Sequence, residues 1–220
     1  MRSRTIYDLP TPCLVLEEAV LQKNLDRMDA IAKAGKVDLR LHCKTAKSAE
    51  VARRTTANHS GAIAVSTLHE AEYFLQNGFT DILVAVGMVP SKLPRVDQLQ
   101  QAGADITVIL DSVEMARALA SKAQDLSKPL PVLIEIDAEL RRTGVLPLAK
   151  ELLEIGAIVH AADALRLRGV LAFGGIGYEQ TSLQGIADAA ERVRTCAVTA
   201  AERLRLANPV SYTHLTLPTN

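Results

Sequence analysis

"GAIAVSTLHEAEYFLQNGFTDILVAVGMVPSKLPRVDQLQQAGADITVIL", residues 61–110, holds three short apolar runs separated by two stretches of helical period. The runs "GAIAVST" (61–67), "DILVAV" (81–86) and "DITVIL" (105–110) are rich in β-branched residues and short enough for strands. The stretches between them end at Gly78 and Gly103, each just before the next run, where a helix terminus favours a residue that tolerates positive φ. Strands this apolar, joined through helices, read as parallel strands covered on both faces. The same unit continues outward. "LRLHC" (39–43) precedes it, and "PVLIEID" (131–137) and "LRGVLAF" (167–173) follow. Strand starts recur about every 20 to 26 residues, with one longer gap before the sixth. Six βα units in series fit an open doubly wound sheet or an incomplete (β/α)8 barrel. No run is followed by the GxGxxG turn of a dinucleotide fold, so the α/β barrel is the preferred reading. Ahead of the first strand, "LEEAVLQKNLDRMDAIAKAG" (16–35) predicts a helix with Val20, Leu21, Leu25, Met28 and Ile31 on one stripe.

Composition narrows the function classes. Formal net charge is zero over 220 residues, which gives no basic footprint for nucleic acid. Aromatics make up 3% and tryptophan is absent, which disfavours a base-stacking platform. No apolar run approaches the ~18 residues of a membrane span. "MRSRTIYDLPTP" lacks the apolar stretch of a secretory signal. Cys13, Cys43 and Cys196 are odd in number and form no CxxC pair, so neither a disulfide framework nor a zinc site is indicated. The expected setting is cytoplasmic, with reduced thiols.

"LRLHCKTAKS" (39–48) carries the first candidate chemistry. Side chains alternate along a strand, so Arg40, His42 and Lys44 are expected on one face and Leu39, Leu41 and Cys43 on the other. Lys44 then falls at the C-terminal end of a strand, where barrel enzymes place reactive groups. An amine there can condense with an aldehyde. Taken alone, Lys44 reads better as a solvated loop lysine, and the face it shares with Arg40 and His42 shifts that balance. In "PVLIEIDAELRRTGV" (131–145), Glu135 and Asp137 alternate with Ile134 and Ile136, and Arg141, Arg142 and Gly144 follow. In "GVLAFGGIGYEQ" (169–180) a strand runs into Gly174, Gly175 and Gly177, then Tyr178, a turn that lets backbone approach a ligand closely. A charged turn and an ordinary glycine loop are the plainer alternatives.

Together these stretches resemble the fold-type III enzymes that use pyridoxal 5′-phosphate (PLP), the alanine racemase N-terminal domain superfamily, in the branch of D-threonine aldolase and D-serine dehydratase. "DLPTPCLVLEEAVLQKNLDRM" is similar to that branch's opening, and "LRLHCKTAKSAEVARR" to its cofactor-lysine motif. "VSTLHEAEYFLQNGFTDILVAVGMVPSKL" and "VLIEIDAELRRTGV" match in order and spacing, over about residues 8 to 207. The resemblance implies that Lys44 is the catalytic residue and carries the cofactor as a Schiff base. It also implies that His42, Arg40, Arg142 and Tyr178 line the cofactor pocket, with Arg142 near the pyridine nitrogen. The implied activity is a lyase that cleaves D-β-hydroxy amino acids to glycine and an aldehyde. The alternatives are D-serine dehydratase-type deamination, amino-acid racemisation, or a non-catalytic PLP carrier barrel. The implied partners are a small D-amino acid substrate and a second copy in a homodimer, with neither nucleic acid nor membrane.

Some features depart from the branch. "AFGGIGY" stands where a histidine and a single glycine precede the tyrosine, and "AELRR" lacks a turn glycine before Arg142. The branch also continues into further strands and a C-terminal β domain, which supplies a divalent metal site. Those ligands are expected outside residues 1–209, and the part in hand is expected to be inactive by itself. The ending "NPVSYTHLTLPTN" (208–220) resembles translated sequencing-adapter read-through, so residues 210–220 are expected to be a non-native tail behind a partial barrel of residues 1–209.

Overall fold

The computed structural model describes residues 5–207. The proposed non-native tail at 210–220 lies outside the described residues. The chain divides into two compact units, residues 1–38 and 39–220.

The first unit consists of a short 3-10 turn (Ile6–Asp8), an extended stretch and helix α1 (Glu18–Gly35). Thr5 and Asp8 close a reciprocal capping pair around the turn. Lys36 ends α1 in the left-handed region at φ 53°, donating its N–H to Ala32 O and Lys33 O. Ala32 is buried, while Val20 and Ile31 of the predicted stripe are exposed.

The second unit alternates strand and helix. Its elements are β1 (Leu41–His42), α2 (Ala49–Thr56), β2 (Ile63–Val65), α3 (Leu68–Gln76), β3 (Asp81–Gly87), α4 (Leu93–Gln101) and β4 (Asp105–Leu110). They continue with α5 (Val113–Lys122), β5 (Leu130–Asp137), α6 (Lys150–Ala161), β6 (Leu165–Phe173) and α7 (Leu183–Ala207). All six strands are parallel and pair in sequence order. This is the incomplete α/β barrel expected from the repeat, and six βα units of it are present.

Alternation along the strands sorts the core into two faces. Ile63, Val65, Ile82, Val84, Ile106, Val108, Ile134 and Ile136 pack with helix residues such as Phe74, Val96, Leu119, Leu152 and Ile155. The intervening positions, Ala64, Leu83, Ile109 and Leu133, form a separate cluster on the inner face. Burying a side chain such as Leu119 or Ile106, each 0% exposed, is worth about 1.5–3 kcal/mol. α2, α3 and α5 begin where a hydroxyl follows a strand. Ser48, Thr67 and Ser112 accept N–H bonds from Val51, Glu70 and Met115. Gly78 and Gly103 adopt φ of +92° and +105° behind α3 and α4, as the sequence required.

Candidate active site

Strand β1 is shorter than its sequence suggests. The Cys43 N–H still donates to Ala64 O at 2.8 Å, but the Lys47 N–H then donates to Cys43 O at 2.8 Å and winds the chain into a turn. Lys44 therefore sits in the turn beyond the strand's C-terminal end, exposed instead of lining the strand face. Its backbone N–H donates to His42 Nδ1 at 3.3 Å. His42 is half-buried. Burial holds its pKa below the ordinary 6.5, the Lys44 charge pushes the same way, and Glu70 opposes both. The imidazole is neutral near pH 7, with Nδ1 as acceptor.

The two lysines differ in their commitments. Lys47 Nζ lies 3.1 Å from Glu70 Oε1, a side chain only 12% exposed whose Oε2 also accepts the Ser66 N–H at 2.8 Å. Burial would raise the Glu70 pKa, but the Ser66 amide, the Lys47 hydrogen bond and charge, and the Thr67 amide together hold it below the usual value. Among the described residues, Lys44 makes no ion pair.

Arg40 takes a different place from the one expected. Its guanidinium grips Asp81, with Nη1–Oδ1 at 2.8 Å and Nη2–Oδ2 at 3.1 Å, and Nη1 also donates to Ile63 O at 3.1 Å. Asp81 opens β3, so the pair lies at the N-terminal ends of the strands. Arg168 does the same further round, reaching Asp105 Oδ2 at 2.6 Å and Thr107 Oγ1 at 2.7 Å. These ion pairs floor the inner face, and the structure does not bring Arg40 to the end that carries Lys44. Alternation alone could not separate the two, because it fixes a face and leaves depth open.

The ends of β5 and β6 supply the remaining groups. On β5 the expected alternation holds: Ile134 and Ile136 face the helices, while Glu135 lies among polar neighbours. Glu135 is 7% exposed. Burial raises its pKa above the ordinary 4.5, Thr143 hydrogen-bonds to it and opposes that rise, and Asp111, Arg142 and Asp137 are close enough to act on its charge. The chain then folds back on its own strand. Asp137 N–H donates to Val145 O at 3.0 Å and Val145 N–H to Glu135 O at 2.9 Å. Gly144 makes this return possible at φ +119°, because a Cβ there would meet Asp137 N and lie 2.7 Å from Ile136 C. Arg142 stands over the Phe173 ring, 4.3 Å from its centroid, where Phe173 ends β6. Tyr178 is exposed on a 3-10 turn (Ile176–Glu179).

His42 at the end of β1 and Lys44 in the turn beyond it thus lie at the same C-terminal end of the parallel sheet as Arg142, in the loop after β5, and Tyr178, in the turn after β6. Sequence reasoning missed Glu70, Asp111, Glu139 and Phe173. Asp111 carried a signal, because it directly follows the run 105–110 and precedes the capping Ser112. Glu139, in "DAELRR", carried none. Among the described residues no group of three or more His, Cys, Asp or Glu is arranged to hold a metal ion, and no helix is long and apolar enough to cross a membrane.

Known proteins share this fold. D-threo-3-hydroxyaspartate dehydratase of Delftia sp. (strain HT23) is 42% identical over 207 residues, covering 92% of this chain and 53% of that protein. Its solved structure superposes with a TM-score of 0.91 at 38% identity, covering 98% of this chain and 56% of the other, and a variant in its metal-free form superposes equally well. D-threonine aldolase of Arthrobacter sp. is 31% identical over 187 residues, covering 84% of this chain and 47% of that one. The chain spans about half the length of these curated relatives. Residues 17–216 match the family described as alanine racemase, N-terminal domain, and the chain belongs to that family of PLP-dependent enzymes.

Proposed function

We propose that this chain is the cofactor-bearing half of a PLP-dependent lyase acting on D-β-hydroxy amino acids. The observation that carries the reading is the uncommitted Lys44 amine just past the C-terminal end of β1, beside a half-buried His42 whose pKa burial keeps low. The residues present fit the cofactor. Lys44 would hold it through its aldehyde, and Arg142, set over Phe173, would offer its ring a cation. Tyr178 closes the same end. Arg40, tied to Asp81, supports β1 from below. PLP, when bound, supplies the electron sink for negative charge developing at the substrate α carbon.

The chain's own groups then handle protons. His42, neutral with Nδ1 already accepting the Lys44 N–H, would present its Nε2–H as a hydrogen-bond donor. Lys44 Nζ would be the chain's own amine for exchanging a proton at the substrate α carbon. Removal of the α proton with loss of the β-hydroxyl as water would leave an enamine, whose hydrolysis by a second water breaks the C–N bond and gives a 2-oxo acid and ammonia. Removal of the β-hydroxyl proton instead breaks the Cα–Cβ bond and leads to glycine and an aldehyde. The 42% identity to the Delftia dehydratase supports dehydration of a 3-hydroxy-D-aspartate-type substrate as the first reading. The 31% identity to a D-threonine aldolase favours cleavage as the second. A divalent metal and a homodimer belong to the proposal for the whole protein.

The test is a product assay on the protein as its gene encodes it, with D-threo-3-hydroxyaspartate and D-threonine. Ammonia and a 2-oxo acid from the former support dehydration, and glycine with an aldehyde supports cleavage. Turnover of neither substrate contradicts the lyase reading.

A further inference from the structure

Two loops meet at the ends of β5 and β6, and three contacts cross between them. Glu139 Oε2 accepts the Gly175 N–H at 2.8 Å, and the Ile176 N–H reaches Oε1 at 2.9 Å and Oε2 at 3.0 Å. Arg141 pairs with Glu179. Arg142 stacks on Phe173. The Arg141 and Glu179 side chains are both more than half exposed, so solvent screens that pair. The stacked Arg142 is exposed as well. The half-buried Glu139 carboxylate on two main-chain amides is the strongest tie of the three, because its bonds are charge-assisted and partly shielded.

Glu139 is itself held rigidly. Asp137 Oδ1 accepts the N–H groups of Glu139 at 3.0 Å and Leu140 at 2.7 Å, and Leu140 adopts φ +59°. On the other side, Gly174 is buried so tightly that a Cβ there would lie 2.7 Å from Val193 Cγ2 of α7. Each loop is therefore fixed to its own strand or helix, and Glu139 joins the two.

We infer that Glu139 is a positioning residue: its carboxylate locks the loop carrying Tyr178 to the loop carrying Arg142, so that both reach the cofactor as one preformed wall. This rests on the proposed cofactor role of that end. Loss of the lock leaves the turn at 176–179 free to shift relative to Arg142, which lowers cofactor affinity without touching Lys44.

The test uses the protein as its gene encodes it, with Glu139→Ala, Glu139→Gln and Glu179→Gln. Amide hydrogen exchange is followed over residues 173–180 and 138–145 without cofactor, and the PLP dissociation constant is measured by absorbance titration. In Glu139→Ala, exchange rises in both segments together and the dissociation constant rises roughly tenfold. Glu139→Gln, which keeps the size and one acceptor, shows the same changes at smaller amplitude and stands in if the alanine variant does not fold. Glu179→Gln leaves both readings near wild type. Unchanged exchange in Glu139→Ala, raised exchange with unchanged cofactor affinity, or an equal effect from Glu179→Gln would overturn the inference. A wild type that binds no PLP sinks the functional proposal separately, and exchange then decides the lock by itself.

Discussion

Lys47 Nζ lies 3.1 Å from Glu70 Oε1, while Lys44, three residues earlier in the same turn, makes no ion pair among the described residues. The pair anchors the turn from one side and leaves Lys44 available on the other. Glu70→Gln removes the charge from a nearly buried acceptor while keeping its Ser66 contact within reach. We expect a loss of about 1 kcal/mol in urea unfolding and a weaker hold on cofactor. Unchanged values in both would mean that the tether does not order the turn.

Gly144→Ala is expected to be costly. The added Cβ meets the backbone of Ile136 and Asp137 at φ +119°, where nothing flexible can yield. A loss of roughly 2–4 kcal/mol follows from strain and overlap, with Arg142 displaced because it lies two residues upstream. Thermal unfolding measures the first effect and cofactor titration the second.

The thiols should separate sharply by reactivity. Cys13 is exposed, whereas Cys43 is buried and its thiol is pushed up to about 12, by burial first and the Glu70 charge second. Alkylation at pH 8 should therefore modify Cys13 quickly and Cys43 only on unfolding. Fast native-state labelling of Cys43, one residue from Lys44, would show that the turn opens freely.

A half-buried His42 and a buried Glu135 should tilt stability with pH in opposite directions. The His42 pKa is lowered below 6.5, so its contribution is present above that value and is lost as pH falls through the folded pKa. The Glu135 pKa is raised above 4.5, so its contribution is present below that value and is lost as pH rises through the folded pKa. Glu135→Gln, which still accepts from Thr143, should thus raise the melting temperature near pH 7 relative to wild type and change it little near pH 4. A melting curve shifted equally at both pH values would contradict the burial assignment.

The sequence was most legible where physics is local. The run 105–110 coincides with β4, and Gly78 and Gly103 sit at positive φ behind their helices. The glycine cap and the two-residue period need no distant partner to be read. β1 was overextended because the bond from Lys47 N–H to Cys43 O, which turns the chain, leaves no compositional mark. The place of Lys44 at the C-terminal end of β1 was legible because it follows from one strand end, whereas its position in a turn was not. Arg40 was misplaced because its partner, Asp81, lies 41 residues away. Glu139 escaped for the same reason, its amide partners lying 36 and 37 residues on.

Borohydride reduction of the PLP-loaded protein, followed by peptide mass mapping, tests the role of Lys44 most directly. Reduction fixes the cofactor to whichever amine holds it. A phosphopyridoxyl group on Lys44, absent from Lys44→Ala and never found on the ion-paired Lys47, is the expected result. The label on Lys47, on another lysine, or on none would contradict the assignment.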